Sequence, residues 1–390
     1  MVSGSVAIGS RGRAFIRTAF AVAMLAAAGT GAAAQEAPGG DPVVFSRLYQ
    51  NPADVELNLL YAQTAETRGE HRKALATYER VLLIDPTNAR ARAGLARTRN
   101  LLAPNFTNFT LSIGGGYESN PLQRPDAAPQ RSSGFGFAEL RMRDERRIGG
   151  TRWRTHLAGG LSLFSDASEV NDGFVAGDVG PLFQATPGIA VRPSVVAGWR
   201  ALDGTTLFAE IGAALELEGY LDGALQAVRL AAVWRDYGEA WVSDGGLVVD
   251  LSGRFARQAV LFDRDTIVFR PGARYSDVDN QGAIFVPADF APGRYFQIGA
   301  RLDYFYAFTD TISAGAHFAI YQRWYDAPGV PGGPDREDTY LSPGASITFG
   351  NVLLQAVDFV VVYRYEDNLS NVDFREFDNH VVAARFDVRF

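Results

Sequence analysis

The feature that most constrains this chain is a period of two in its apolar residues, sustained from Asn105 to Phe390. It is clearest in the last segment, where His380, Val382, Ala384, Phe386, Val388 and Phe390 alternate with Asn379, Val381, Ala383, Arg385, Asp387 and Arg389. Successive side chains of a strand point to opposite faces, so one face here is apolar and the other largely charged. Val357, Phe359, Val361, Tyr363 and Tyr365 repeat the pattern against Asp358, Arg364 and Glu366. Phe296, Ile298, Ala300, Leu302, Tyr304 and Tyr306 do so against Gln297, Arg301 and Asp303. Leu207 to Leu215 set against Glu210 and Glu216, and Leu247 to Phe255 set against Asp250 and Arg254, are further examples. An aromatic content of 12% with 41 Gly and 3 Met suits pleated strands and tight turns better than helix bundles.

A soluble sandwich also alternates, and the connections separate the two cases. Starting from a first strand at Phe109 to Tyr117, the outward connections include Glu118 to Ser132, Asp236 to Gly245, Ser276 to Gly293, Asp326 to Asp338 and Asp367 to Asp378, all long and polar or rich in Pro and Gly. Those between are mostly short, such as Phe308-Thr309-Asp310 and Gly350-Asn351. Long loops outside, short turns inside and an even strand count, here roughly fourteen, are the arrangement of outer-membrane barrels. Lipid offers backbone groups no hydrogen-bond partner, so the last strand is expected to pair with the first. The fold class predicted is mainly β: an antiparallel transmembrane β-barrel over residues 105–390, in contact with outer-membrane lipid.

Placements follow from that reading. Tyr117, Trp153, Trp324, Tyr325, Tyr340, Tyr363 and Tyr365 lie near strand ends and are expected in interfacial girdles. Phe386, Val388 and Phe390 read as the terminal signal for the barrel-assembly machinery. The charged face is expected to line the lumen with Arg301, Asp303, Asp358, Arg364, Glu366, Arg385 and Asp387, joined by Arg152, Arg154, His156, Glu210, Glu216, Asp250, Arg254 and Arg389. Their mixed signs favour a cross-linked lumen over a selective ring.

Residues 1–34 carry Arg11, Arg13 and Arg17, then an apolar run ending in Ala32-Ala33-Ala34. This reads as a secretory signal, too short for a spanning anchor. Without it the formal charge of -7 becomes -10 (-7 minus 3), which argues against a nucleic-acid partner. The absence of Cys excludes disulfides and thiol catalysis. Residues 35–104 read as a short periplasmic α-helical segment. Pro52 and Pro86 are 34 apart (86 minus 52), the period of a tetratricopeptide repeat. Ala62 and Ala65 are expected to face Ala74 across a turn at Gly69, with Tyr78 and Val81 on the same face before Asp85-Pro86. A further helix over Asn88 to Leu102 sets Arg90, Arg92, Arg97 and Arg99 away from Ala91, Leu95 and Leu102. Its basic face reads either as a docking platform or as the solvated surface of a spacer.

No catalytic constellation, metal-ligand spacing or phosphate-binding loop is present, so the chain reads as non-enzymatic, with no cofactor and no metal. Gly114-Gly115-Gly116-Tyr117-Glu118-Ser119-Asn120 opens the barrel, and Tyr363-Arg364-Tyr365, Ser370-Asn371 and Phe390 close it. With the order signal, tetratricopeptide segment and barrel, these stretches resemble the surface lipoprotein assembly modifier family. The resemblance covers most of the chain after residue 34, although the repeat region is shorter than in better-known members. It implies passage of a client lipoprotein or related secreted protein to the cell surface, with the repeats engaging the client in the periplasm. An exopolysaccharide export porin and a general diffusion porin are the alternatives.

Overall fold

The computed structural model describes Leu48 and residues 51–102, 105–186, 188–221, 224–238, 245–278, 293–328, 332–353 and 356–390. The signal sequence expected over residues 1–34 lies outside them. The chain forms two compact units, of which the first contains the helices and the second holds nearly all of the barrel.

In the helical unit, α1 (Val55–Thr67), α2 (His71–Ile84) and α3 (Ala89–Leu102) follow one another through short turns. Asp54 caps α1 by accepting from the Leu57 N–H at 3.0 Å, and Asn88 Oδ1 accepts from the Ala91 N–H at 2.9 Å. Gly69 (φ +74°) supplies the left-handed residue between α1 and α2. Ala62, Ala65, Ala74, Tyr78 and Val81 are buried in one cluster with Leu59, Ala91 and Leu95. Tyr78 lies against Gly94, where a Cβ would enter its ring. Its hydroxyl donates to Glu66 Oε2 at 2.8 Å, and Arg97 donates twice to the same carboxylate at 2.9 Å. Arg90 pairs with Glu56 and Arg99 with Glu79, while Arg92 donates to the Pro86 carbonyl. All four arginines of the basic face are therefore engaged within the helices and the turn that joins α2 to α3.

The barrel consists of β1 (Phe106–Glu118), β2 (Ser133–Ile148), β3 (Thr151–Phe164), β4 (Asp172–Thr186), β5 (Ile189–Leu202), β6 (Thr205–Leu221) and β7 (Ala224–Tyr237). It continues through β8 (Gly246–Gln258), β9 (Asp265–Asp277), β10 (Arg294–Ala307), β11 (Ile312–Pro328), β12 (Asp335–Phe349), β13 (Val357–Ser370) and β14 (Phe377–Arg389). Every strand pairs with its sequence neighbours, and β14 returns to β1, so the sheet closes. The closing register runs from Thr110↔Arg389 to Glu118↔Val381. Beyond it, Phe109 and Phe390 exchange backbone hydrogen bonds at 2.7 and 3.1 Å, with their rings stacked at 5.5 Å.

One end of the barrel carries the longer loops and the other the short turns. Two loop-end connections were not anticipated from sequence. Residues 165–171 hold the 3-10 turn Ser168–Val170, and Asp203-Gly204 is a two-residue turn with both φ positive (49° and 74°). Asp-Gly suits that geometry because its twist matches the flanking strands. The last two loops also shrink to 329–334 and 371–376, because β11 to β14 extend into residues that sequence composition assigns to loops.

The outer face is apolar, and Leu161, Val175, Ile211, Ile298, Phe318 and Val382 on it are each between 46% and 63% exposed. Side chains of this size exposed on strand after strand require a hydrocarbon solvent. Aromatic groups flank the band: Tyr117, Tyr363 and the stacked Phe296–Trp324 pair toward the loop end, Phe109–Phe390 and Phe359–Phe386 toward the turn end. Tyr325 and Tyr340 depart from the girdle expectation. Tyr325 is 4% exposed beneath the Arg336 guanidinium, and Tyr340 lines an interior cavity. Each sits one register position from an outward residue, and proximity to a strand end does not determine the face.

Gly116 tests the seam directly. A Cβ there would meet the Val382 carbonyl oxygen and lie 2.9 Å from the Ala383 Cα, whereas one at Gly136 finds its nearest neighbour at 3.9 Å. Gly116→Val is expected to abolish the compact, heat-modifiable species on unheated gels, and Gly136→Ala to retain it.

Candidate functional site in the barrel interior

The inward face is held by guanidinium–carboxylate pairs. Glu145 on β2, 2% exposed, receives Arg143, Arg152 and Arg154 at 2.6 to 2.7 Å. Arg154 on β3 also grips Glu218 on β6 with two bonds of 2.8 and 2.6 Å. β4 and β5 stand between those strands in the sheet, a wall distance of about 14 Å at the usual strand spacing. The pair is therefore made by side chains converging across the concave interior.

Next to it, Arg192 on β5, 1% exposed, joins Asp178 and Glu216, and His156 Nδ1 lies 3.4 Å from Asp178. Arg200 grips Asp172 at 2.6 Å, and Arg235 grips Glu210 while lying 4.2 Å from the Phe208 ring centroid. On the other side of the barrel, Arg364 pairs with Glu366, Arg385 with Asp387 and Arg389 with Asp358. Arg270 and Arg301 share Asp303. Lys73 is the chain's single lysine, so every permanent cation of the barrel is arginine, whose planar fork fits a carboxylate bidentately.

Arg301, Asp303, Asp358, Arg364, Arg385 and Asp387, all named from alternation, line one cavity of about 420 Å³ together with His317. Glu366 lies apart from it, with Glu118, Tyr340 and Arg200, around a cavity of about 260 Å³ toward the loop end. A third cavity, about 670 Å³, is lined by Asn108, Thr110, Arg141, Arg143, His156, Asp178 and Arg229. Of the terminal residues, Phe386 faces outward, Val388 opposes Leu111 across the seam, and Phe390 stacks on Phe109.

At the loop end the wall becomes apolar. Leu202, Phe208, Val233, Tyr237 and Val248 form a cluster with Ala167 and Val170 of the 165–171 connection, and Leu122 packs against it. These five share the inward face with Arg200, Glu210, Arg235 and Asp250, so the two connections fold onto the mouth. No group of three potential metal ligands occurs among the described residues.

Sequence reading missed Glu145, Arg192, Glu218, Arg229, Arg270 and Arg274. β7 shows why: Arg229 shares its inward face with Leu225, Ala227, Ala231 and Val233, so both faces of the segment look apolar and alternation is invisible.

No family model and no curated protein sequence matches the chain. Solved structures with a similar architecture exist. They include a bacterial polysaccharide outer membrane secretin (12% identity, TM-score 0.39, 74% of this chain and 99% of that one). They also include the outer membrane channel DcaP of Acinetobacter baumannii (8%, 0.44, 74% and 98%) and OprD from Pseudomonas aeruginosa (9%, 0.38, 73% and 93%). The protein is a closed fourteen-stranded antiparallel β-barrel. These likenesses are of barrel architecture, at identities that carry nothing about cargo.

The Arg154–Glu218 bridge has a measurable consequence. Glu218→Ala leaves a nearly buried guanidinium short of one carboxylate, a loss of about 3 kcal/mol. A lower thermal midpoint is expected for the folded barrel in detergent, with the double change Arg154→Met and Glu218→Leu recovering most of it.

Proposed function

We propose that this barrel is an export channel that passes a protein client, a surface lipoprotein or a related secreted protein, to the cell surface. The observation that supports this reading best is the ion-paired interior with two connections packed at its loop end. Arg154 and Glu218 bridge β3 and β6, buried pairs line the wall, and two connections pack onto the loop end. Small-solute diffusion calls for a clear aqueous path, whereas a macromolecular client requires a lumen that stays closed until engaged. The helical segment adds a second body that a diffusion porin does not need. The client class comes from the resemblance to the surface lipoprotein assembly modifier family carried by Gly114 to Asn120 and by the closing strands.

The seam between β1 and β14 is the candidate route for opening, since it joins the first and last strands of the barrel and three consecutive glycines line it. Ile113 and Phe386 oppose one another there. The chain has no other cysteine, so Ile113→Cys with Phe386→Cys makes a defined lock. Oxidation is expected to stop client display and reduction to restore it; full display by the oxidised form would remove the seam from the mechanism.

The deciding experiment for the function is protease shaving with whole-cell mass spectrometry in a deletion strain, with total lipoprotein as control. Loss of a lipoprotein from the surface while its total persists is expected. Unchanged display together with loss of a surface polysaccharide would replace this proposal with polysaccharide export.

A further inference from the structure

Most arginines of the described interior meet a carboxylate, and one arc of the wall departs from this. Arg229 on β7 and Arg254 on β8 have no hydrogen-bond or ion-pair partner among the described residues. They are diagonal neighbours, because the register places Ala227 opposite Arg254 and Arg229 opposite Ser252. Between the pairs Ser252↔Gly272 and Phe255↔Phe269, Arg254 faces Arg270 on β9. Arg270 in turn stands directly opposite Arg301 on β10. Four guanidinia thus follow one another over four adjacent strands, with the carboxylate of Asp303 held by the last two.

Like charges opposite one another on a sheet destabilise it, and an unpaired guanidinium forgoes the strong charge-assisted bonds its neighbours make. Where like charges stand opposite one another elsewhere in this lumen, as at Arg147↔Arg152 and Asp358↔Asp387, a counter-charge is at hand: Glu145 holds Arg152, Arg389 holds Asp358 and Arg385 holds Asp387. Arg229 also borders the largest of the three interior cavities, where Arg141, Arg143 and His156 stand with Asp178 as the one lining carboxylate. That carboxylate is already occupied by Arg192 and faces His156. That cavity, of about 670 Å³, has room beside Arg229 for an anionic group of several heavy atoms, and Arg254 joins the site through its diagonal position on β8 and not through that lining.

We propose that Arg229 and Arg254 form the core of an oxyanion-binding site in the lumen, taking a phosphate- or sulfate-type group. The planar forks of neighbouring arginines match such oxygens bidentately, and bound anion replaces the carboxylates that this arc lacks. The site is independent of the cargo reading: it constrains what lies in the lumen and not whether a client passes.

The test uses the full-length protein folded in detergent, with thermal midpoint followed against inorganic phosphate and against sodium chloride of equal ionic strength. A saturable rise with phosphate that chloride does not give is expected. Arg229→Gln with Arg254→Gln should lose that rise, and because it relieves repulsion its midpoint without phosphate should be unchanged or higher. Arg257→Gln, an exposed arginine outside the arc, should keep the response. Dextran sulfate run in parallel separates a small-anion site from one that follows an anionic polymer: a response lost in the double variant assigns the polymer to this arc as well. Equal responses to phosphate and chloride, or a full phosphate response in the double variant, would overturn the proposal.

Discussion

Pairing of β14 with β1 is the interaction on which the remaining structure depends. In hydrocarbon an unpaired N–H or carbonyl has no substitute partner, so a sheet in a membrane is viable only without edges. The reciprocal Phe109–Phe390 hydrogen bonds and the register up to Glu118↔Val381 remove the last edge. Closure then dictates the rest of the chemistry. One face of every strand must meet lipid, and whatever the sequence places on the other must be reconciled inside a confined wall.

Inside, the reconciliation is electrostatic. Glu145 serves three arginines, Arg192 serves two carboxylates, and Arg154 connects strands that are not neighbours. Buried pairs of this kind contribute little net stability compared with apolar packing, because desolvation offsets most of the attraction. They differ from apolar packing in what separation requires. A wall of ion pairs admits water and exchanges partners as it opens, whereas an interdigitated apolar core has to be broken. The apolar residues that do face inward gather at the loop end, around Phe208 and Tyr237.

How legible this was in the sequence depended on whether a strand's two faces differ. β10, β13 and β14 announce themselves because charge and apolarity alternate, and the inward positions Arg301, Asp358, Arg364 and Asp387 could be named from period alone. β7 could not be read this way, since its inward Arg229 is embedded among small and aliphatic residues on both faces. Partnership was legible nowhere: which carboxylate meets Arg154 depends on the curvature of the wall and not on spacing along the chain. The girdle assignments failed at Tyr325 and Tyr340 for a related reason, because nearness to a strand end says nothing about which face a side chain takes. In the helical segment the alanine and glycine positions marked the contact surface of α1 and α2, while the pairing of its arginines with Glu56, Glu66 and Glu79 required the third dimension.

The exclusive use of arginine in the barrel also sets how the molecule meets chemistry aimed at primary amines. A guanidinium does not react as an amine does, and Lys73, on α2, holds the chain's one side-chain amine. To an acylating label, an aldehyde or an amine-directed cross-linker, the entire barrel is silent. Lys73 is 61% exposed and paired with Glu70, so such a reagent has one side-chain address, on the helical segment. A fluorophore or tether attached there would report on that segment alone, without an engineered residue anywhere in the membrane-spanning wall.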